Sequence, residues 1–105
     1  MNKLIINLEY GRFPIWIYSK NGELMINDLP WELSAEKEID DSFAEIQNIY
    51  NSLFINNSSE FKYIGFKSDI DKLRFIKMID SAINLIKMKT GDLYSIEKKF
   101  DIQNL

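Results

Sequence analysis

The stretch Ile15–Asn27, IWIYSKNGELMIN, decides the fold class. Two short apolar runs, residues 15–19 and 24–27, flank the pair Asn21-Gly22. This pattern predicts a β-hairpin with a two-residue type I′ turn, in which both central residues have positive φ. The resulting register defines two faces, one carrying Trp16, Tyr18 and Met25 and the other Ile15, Ile17, Leu24 and Ile26. Because hairpin strands are antiparallel, the sequence favours an antiparallel sheet.

The hydrophobic pattern on either side of the hairpin predicts the remaining elements. Alternating residues predict a strand before the hairpin, and helical spacing predicts two helices after it, the second capped by Ser68 and Asp71 and closed by Gly91. The second helix carries a wider apolar sector than the first, so we expect it to be the more deeply buried. The predicted elements are a strand at Lys3–Tyr10, a helix from about Glu36 to Leu53, a polar loop at 56–59, a strand at Phe61–Phe66, a helix at 68–91 and an edge strand at Leu93–Phe100.

The order of these elements is β, β-hairpin, α, β, α, β, which is neither an alternating α/β series nor an all-β arrangement. It predicts an α+β fold, with an antiparallel sheet of four to five strands and two helices packed on one face. At 105 residues, the chain suits a single globular domain spanning residues 1–105.

The composition removes several kinds of chemistry. The chain contains no cysteine and no histidine, so it lacks the thiolate nucleophile and the side chain that most often performs acid/base catalysis near neutral pH. We also find no phosphate-binding loop, dinucleotide motif or nucleophile elbow. The sequence therefore predicts a protein that is not an enzyme, with no catalytic residues, cofactor or metal. The lack of cysteine and of a long apolar segment predicts a cytoplasmic location and no membrane association.

Charge is distributed unevenly along the chain. Residues 1–60 contain four basic and ten acidic groups, a net charge of −6, whereas residues 61–105 contain nine basic and six acidic groups, a net charge of +3. The basic half intersperses its lysines with carboxylates, as solvated helices do, so nucleic acid is not the expected partner. An acidic half instead favours a basic protein partner.

The stretch Trp31–Tyr50, WELSAEKEIDDSFAEIQNIY, is the most acidic part of the chain. With Ile39 pointing inward, Glu38, Asp41 and Glu45 fall on one outward flank of the first helix. Three further carboxylates, Asp28, Glu32 and Glu36, lie before or at the helix start, where anions favour the helix dipole. Three interpretations remain open for these residues: a solvated helix, a docking face, or a magnesium site built from Asp40, Asp41 and Glu45.

Trp31 is the first candidate for an apolar anchor beside these carboxylates, followed by Trp16 and Tyr18. It can equally be a core residue that covers the first helix. The candidate partner-binding residues are thus Asp28, Trp31, Glu32, Glu36, Glu38, Asp41 and Glu45.

Several segments together resemble a family: YGRFPIWIY (10–18), NGE (21–23), DLP (28–30), SLFINN (52–57) and FKYIGFKS (61–68). In sequence and in element order, the chain is similar to small bacterial immunity proteins encoded beside polymorphic or contact-dependent growth inhibition toxins. The resemblance implies a single-domain cytoplasmic protein that binds the C-terminal domain of its cognate toxin and covers the active site or an adjacent surface. Such families diverge at the residues that meet the toxin, so no contact residue is carried over, and the oligomeric state stays open.

Two alternatives come from other functional classes. The carboxylates of the acidic stretch could serve a metal-dependent hydrolase or nuclease. The sheet face carrying Trp16 and Tyr18 could instead belong to a small regulatory or adaptor protein.

Overall fold

The computed structural model describes residues 1–101, 103 and 105. In chain order, the elements are β1 (Asn2–Ile6), β2 (Ile15–Tyr18), β3 (Leu24–Ile26), a short 3₁₀ helix (Trp31–Leu33), α1 (Lys37–Asn51), β4 (Phe54–Asn56), β5 (Phe61–Tyr63), α2 (Asp69–Thr90) and β6 (Tyr94–Lys98). The α+β class predicted from the sequence is confirmed.

The main sheet has four strands in the order β3-β2-β1-β6, and one of its faces forms the core. Leu4 pairs with Ile17 and Ile6 with Ile15 across the antiparallel β1–β2 ladder, so these four side chains point the same way. They belong to one buried cluster with residues of both helices, among them Ile39, Phe43 and Ile46 of α1 and Phe75, Ile79, Ile83 and Ile86 of α2. Both helices therefore pack on this face.

The sheet is mixed, whereas the sequence predicted only antiparallel pairing. β6 pairs with β1 in parallel, in a register that runs from Asn2 opposite Tyr94 to Ile6 opposite Lys98. The reason is the connection: β6 directly follows α2, and a helix of this length returns the chain to the end of the sheet where β1 begins. β6 does lie at an edge, as predicted.

The β2–β3 hairpin forms, but with a three-residue loop in place of the predicted two-residue turn. Ser19 N–H donates to Glu23 O and Gly22 N–H to Ser19 O, and within this loop only Gly22 has positive φ, at 89°. This is the geometry of a β-turn followed by a left-handed glycine. Tyr18 consequently pairs with Leu24 instead of the predicted Met25. The register then shifts between Tyr18 and Ile17, so that Ile17 pairs with Ile26 as predicted.

The predicted face that joins Leu24 and Ile26 to Ile15 and Ile17 forms only in part, because Ile26 pairs with Ile17 but Leu24 pairs with Tyr18. Leu24 and Ile26 are 52% and 42% exposed, whereas Ile15 and Ile17 on β2 are buried. β3 is an edge strand, and none of its residues belongs to the buried core. The predicted strand Lys3–Tyr10 is also too long, because regular pairing stops at Ile6.

A second sheet was not predicted. β4 and β5 form a separate antiparallel ribbon, with Phe54 opposite Tyr63. Phe54 lies at the centre of an aromatic cluster. Neighbouring ring centroids in the cluster are 4.9–5.3 Å apart, and its members are Tyr10, Tyr50, Phe54, Phe61 and Tyr63. This cluster attaches the ribbon to α1 and to the loop after β1.

The boundaries of α2 agree with the sequence signals. The Ser68 hydroxyl accepts a hydrogen bond from Asp71 N–H at 3.2 Å, and Gly91 ends the helix with a φ of 55°. α2 buries six side chains against three for α1, as its wider apolar sector predicted. Glu36, at the start of α1, is 3.7 Å from Lys89, near the end of α2, so the two helices are antiparallel.

We predict that Phe54→Ala lowers the free energy of unfolding by about 2 kcal/mol, because the half-buried ring holds the aromatic cluster together. Urea unfolding followed by circular dichroism measures the change. Ile55→Ala is the matched control, since Ile55 is half-buried on the same strand but has no aromatic ring. Equal losses for the two variants would contradict a special role for the cluster.

Candidate functional site

The acidic flank, defined as Glu38, Asp41 and Glu45, lies on the outer side of α1. All three residues are exposed, and they line a shallow groove together with Lys37, Ser42 and Met78 of α2. The opposite side of α1 carries the buried Ile39, Phe43 and Ile46. The structure thus brings these three predicted residues onto a single surface.

The charge of the acidic flank is only partly neutralised by the protein itself. Lys37 Nζ donates to Asp41 Oδ2 at 2.8 Å, an i, i+4 pair that the sequence prediction overlooked, and this hydrogen bond raises the pKa of Lys37. Both side chains are mostly exposed, so the pair contributes little to stability. Among the described residues, Glu38 and Glu45 have no ion-pair partner. Three carboxylates and one lysine leave a net charge of −2 on this surface.

The carboxylates that precede α1 have contacts within the protein. Glu32 is half-buried, and both of its carboxylate oxygens lie 2.9 Å from the hydroxyl of Tyr94 on β6. Glu36 is half-buried near Lys89. Asp28 is exposed and accepts a short hydrogen bond from Leu29 N–H at 2.7 Å. Glu32 and Glu36 therefore connect α1 to the end of α2 and to β6, in addition to carrying charge.

Trp31 is 79% exposed, so the interpretation of this residue as a core plug is wrong. It begins the 3₁₀ helix, where its neighbours Pro30 and Leu33 are buried and fill the space beneath the turn. The other two candidate anchors are half-buried on the sheet face opposite the helices. There, Trp16 lies across from Ile5 and donates from Nε1 to Asn7 O at 3.3 Å, which gives it a structural role.

A pocket between α1, α2 and the loop after β5 was not predicted. We call it the interhelical pocket; its volume is about 400 Å³. Six apolar side chains line it: Ile49, Leu53, Ile64, Phe66, Phe75 and Met78. Its rim carries Ser52, Lys67, Asp71 and Arg74. Met78 also lines the groove of the acidic flank, so the two sites adjoin.

None of the carboxylates in the described residues are arranged in groups of three or more that could hold a metal ion. None of the helices in residues 1–101 is long and apolar enough to cross a membrane.

Comparison with models of known protein families finds no match, and comparison with curated proteins finds no significant match in sequence. We therefore infer the function from the surfaces described above and from the resemblance of the sequence to immunity proteins.

The burial of Tyr94, together with its contact with Glu32, makes the free energy of unfolding depend on pH in the alkaline range. Burial, followed by the hydrogen bond to Glu32, raises the pKa of Tyr94 to about 12 from an ordinary value of 10.0. When the pKa of a group is higher in the folded state than in the unfolded state, the group stabilises the fold at pH values below its unfolded-state pKa. That stabilisation is lost as the pH rises through the folded-state pKa. We predict that Tyr94→Phe lowers the free energy of unfolding by about 1 kcal/mol at neutral pH.

The difference between wild type and Tyr94→Phe should narrow as the pH rises from 10 to about 12. Urea unfolding at a series of pH values measures it. Burial also raises the pKa values of Tyr50 and Tyr63. Both residues are present in wild type and in the variant, so their contributions cancel in the difference between the two free energies of unfolding. A difference that stays constant with pH would contradict the proposed contact.

Proposed function

We propose that the chain is an immunity protein that binds the C-terminal domain of a cognate bacterial toxin in the cytoplasm and neutralises it without performing a reaction. The observation that carries the proposal is the acidic flank, whose net charge of −2 is exposed on the outer side of α1. The resemblance to immunity proteins supplies the class of partner.

The scaffold beneath the acidic flank is rigid. Ile39, Phe43 and Ile46 on the inner side of α1 are at most 1% exposed, so the helix cannot rotate without breaking the core. Carboxylates held in this way need little rearrangement when a partner binds. A negative patch of this kind accelerates encounter with a positive surface and selects against acidic partners.

An electrostatic patch alone does not give tight binding, because exposed ion pairs contribute little free energy. Affinity in protein interfaces depends on a few aromatic or arginine anchors that become fully buried. Trp31 fits this role, since its side chain is 79% exposed in the free protein and follows directly after the buried Pro30. We propose that Trp31 supplies the anchor and that the acidic flank guides the approach.

The acidic flank is tested by the triple variant Glu38→Lys, Asp41→Lys and Glu45→Lys. The partner is the C-terminal domain of the protein encoded immediately upstream in the genome. We expect the association rate at low salt to fall by about tenfold or more, and the difference from wild type to shrink as salt rises. Stopped-flow kinetics or surface plasmon resonance measures the rate.

The matched control is the triple variant Glu23→Lys, Glu60→Lys and Asp92→Lys, whose three exposed carboxylates lie elsewhere and whose net charge changes equally. It should slow association less than the variant of the acidic flank. Equal slowing by both would assign the effect to overall charge and remove this surface from the interface. Failure of the wild type to bind the upstream domain or to protect cells from it would contradict the proposed function.

Trp31→Ala separates binding from folding. Because Trp31 is mostly exposed, we expect the free energy of unfolding of the variant to differ from that of wild type by less than about 0.5 kcal/mol. Affinity for the toxin domain should fall by about 2 kcal/mol, mainly through faster dissociation. Ile70→Ala is the control, since Ile70 is 62% exposed at the start of α2. Unchanged dissociation of the Trp31 variant would exclude it as an anchor.

A further inference from the structure

The interhelical pocket reaches the hydrophobic core. Its lining includes Leu53 and Phe75, which are 5% and 1% exposed, whereas Ile64 on its wall is 47% exposed. An apolar concavity that extends from the core to solvent, with a few polar groups at its mouth, is the usual form of a small-molecule site. Its volume of about 400 Å³ lies within the range of such sites.

The wall formed by the loop after β5 is held in place by the backbone. Ile64 N–H and Gly65 N–H both donate to Leu53 O, at 2.7 and 3.1 Å. Gly65 has a φ of 73°, which side chains other than glycine rarely permit. The Ser68 cap then fixes the start of α2. The pocket is therefore formed before any ligand binds, and little ordering is needed on binding.

The mouth of the pocket is positively charged. Lys67 has no ion-pair partner among the described residues, and Arg74 has only a long contact of 4.0 Å to Asp71. Two cations and one carboxylate give a net charge of +1. The Arg74 side chain is 77% exposed, so its guanidinium can turn toward a carboxylate, which its planar donors match in a bidentate geometry.

We propose that the interhelical pocket binds a monoanionic amphiphile, a ligand with an apolar body and a single carboxylate. The body lies against Leu53, Phe75 and Met78, and the carboxylate lies between Lys67 and Arg74. Met78 is half-buried, and its flexible thioether side chain allows apolar bodies of different shapes to fit. The inference is independent of the proposed toxin-binding function.

The test is a titration of the full chain with decanoate below its critical micelle concentration, followed by amide chemical shifts in NMR. We expect saturable binding, with a dissociation constant below about 1 mM. The shifts should be confined to the residues around the pocket. Decylamine, with the same chain length and the opposite charge, should bind at least about tenfold more weakly. No saturation, shifts mainly elsewhere, or equal binding of the amine would overturn the proposal.

Two variants test the head and the body of the ligand separately. Arg74→Glu should weaken decanoate binding by about tenfold, whereas Lys77→Glu should leave it unchanged. Lys77 is an exposed residue of the same helix that does not line the pocket, and its replacement changes the net charge equally. Ile64→Gln should weaken binding of decanoate and decylamine alike, because it alters only the apolar wall. Equal effects of the Arg74 and Lys77 variants on decanoate would refute the position of the carboxylate.

Discussion

The packing of one face of the β1–β2 ladder against both helices is the constraint on which the rest of the structure depends. Leu4, Ile6, Ile15 and Ile17 are at most 3% exposed and contact a core that contains Phe43 of α1 and Phe75 of α2. Close packing of this kind fixes the rotation of each helix, because a turned helix would place charged side chains in the core. The outward direction of the acidic flank and the position of the interhelical pocket both follow from it.

The fold could be predicted where its signals are local. The Ser68 cap, the Gly91 terminus and the apolar stripe of α1 each depend on residues within a few positions, and all three are present in the structure. The parallel pairing of β6 with β1 depends on contacts between the two ends of the described chain, about which the sequence pattern says nothing. The β4–β5 ribbon was predicted only in part. The predicted strand Phe61–Phe66 contains β5, which ends at Tyr63, whereas the three residues of β4 are too few to show alternation.

The same distinction applies to the candidate site. Helical spacing was sufficient to place Glu38, Asp41 and Glu45 together, and the Lys37–Asp41 pair was also readable at that spacing. The contact between Glu32 and Tyr94 joins residues 62 positions apart, so no local pattern contained it. The exposure of Trp31 depends on how the 3₁₀ helix packs against the core, and the interhelical pocket depends on how the loop after β5 packs against α1 and α2. Neither packing arrangement could be predicted from a local sequence pattern.

The two proposed sites adjoin at Met78 but attract opposite charges. The acidic flank has a net charge of −2 and the mouth of the pocket +1, so a basic protein surface and an anionic ligand are directed to different ends of the space between α1 and α2. If both proposals hold, each end would repel the ligand proposed for the other, although the two sites share a side chain. The antiparallel packing of the helices maintains this separation, because it places the acidic N-terminal half of α1 away from Asp71 and Arg74 near the start of α2. A substitution at Met78 would disturb both sites at once, whereas substitutions of the charged residues act on one site at a time.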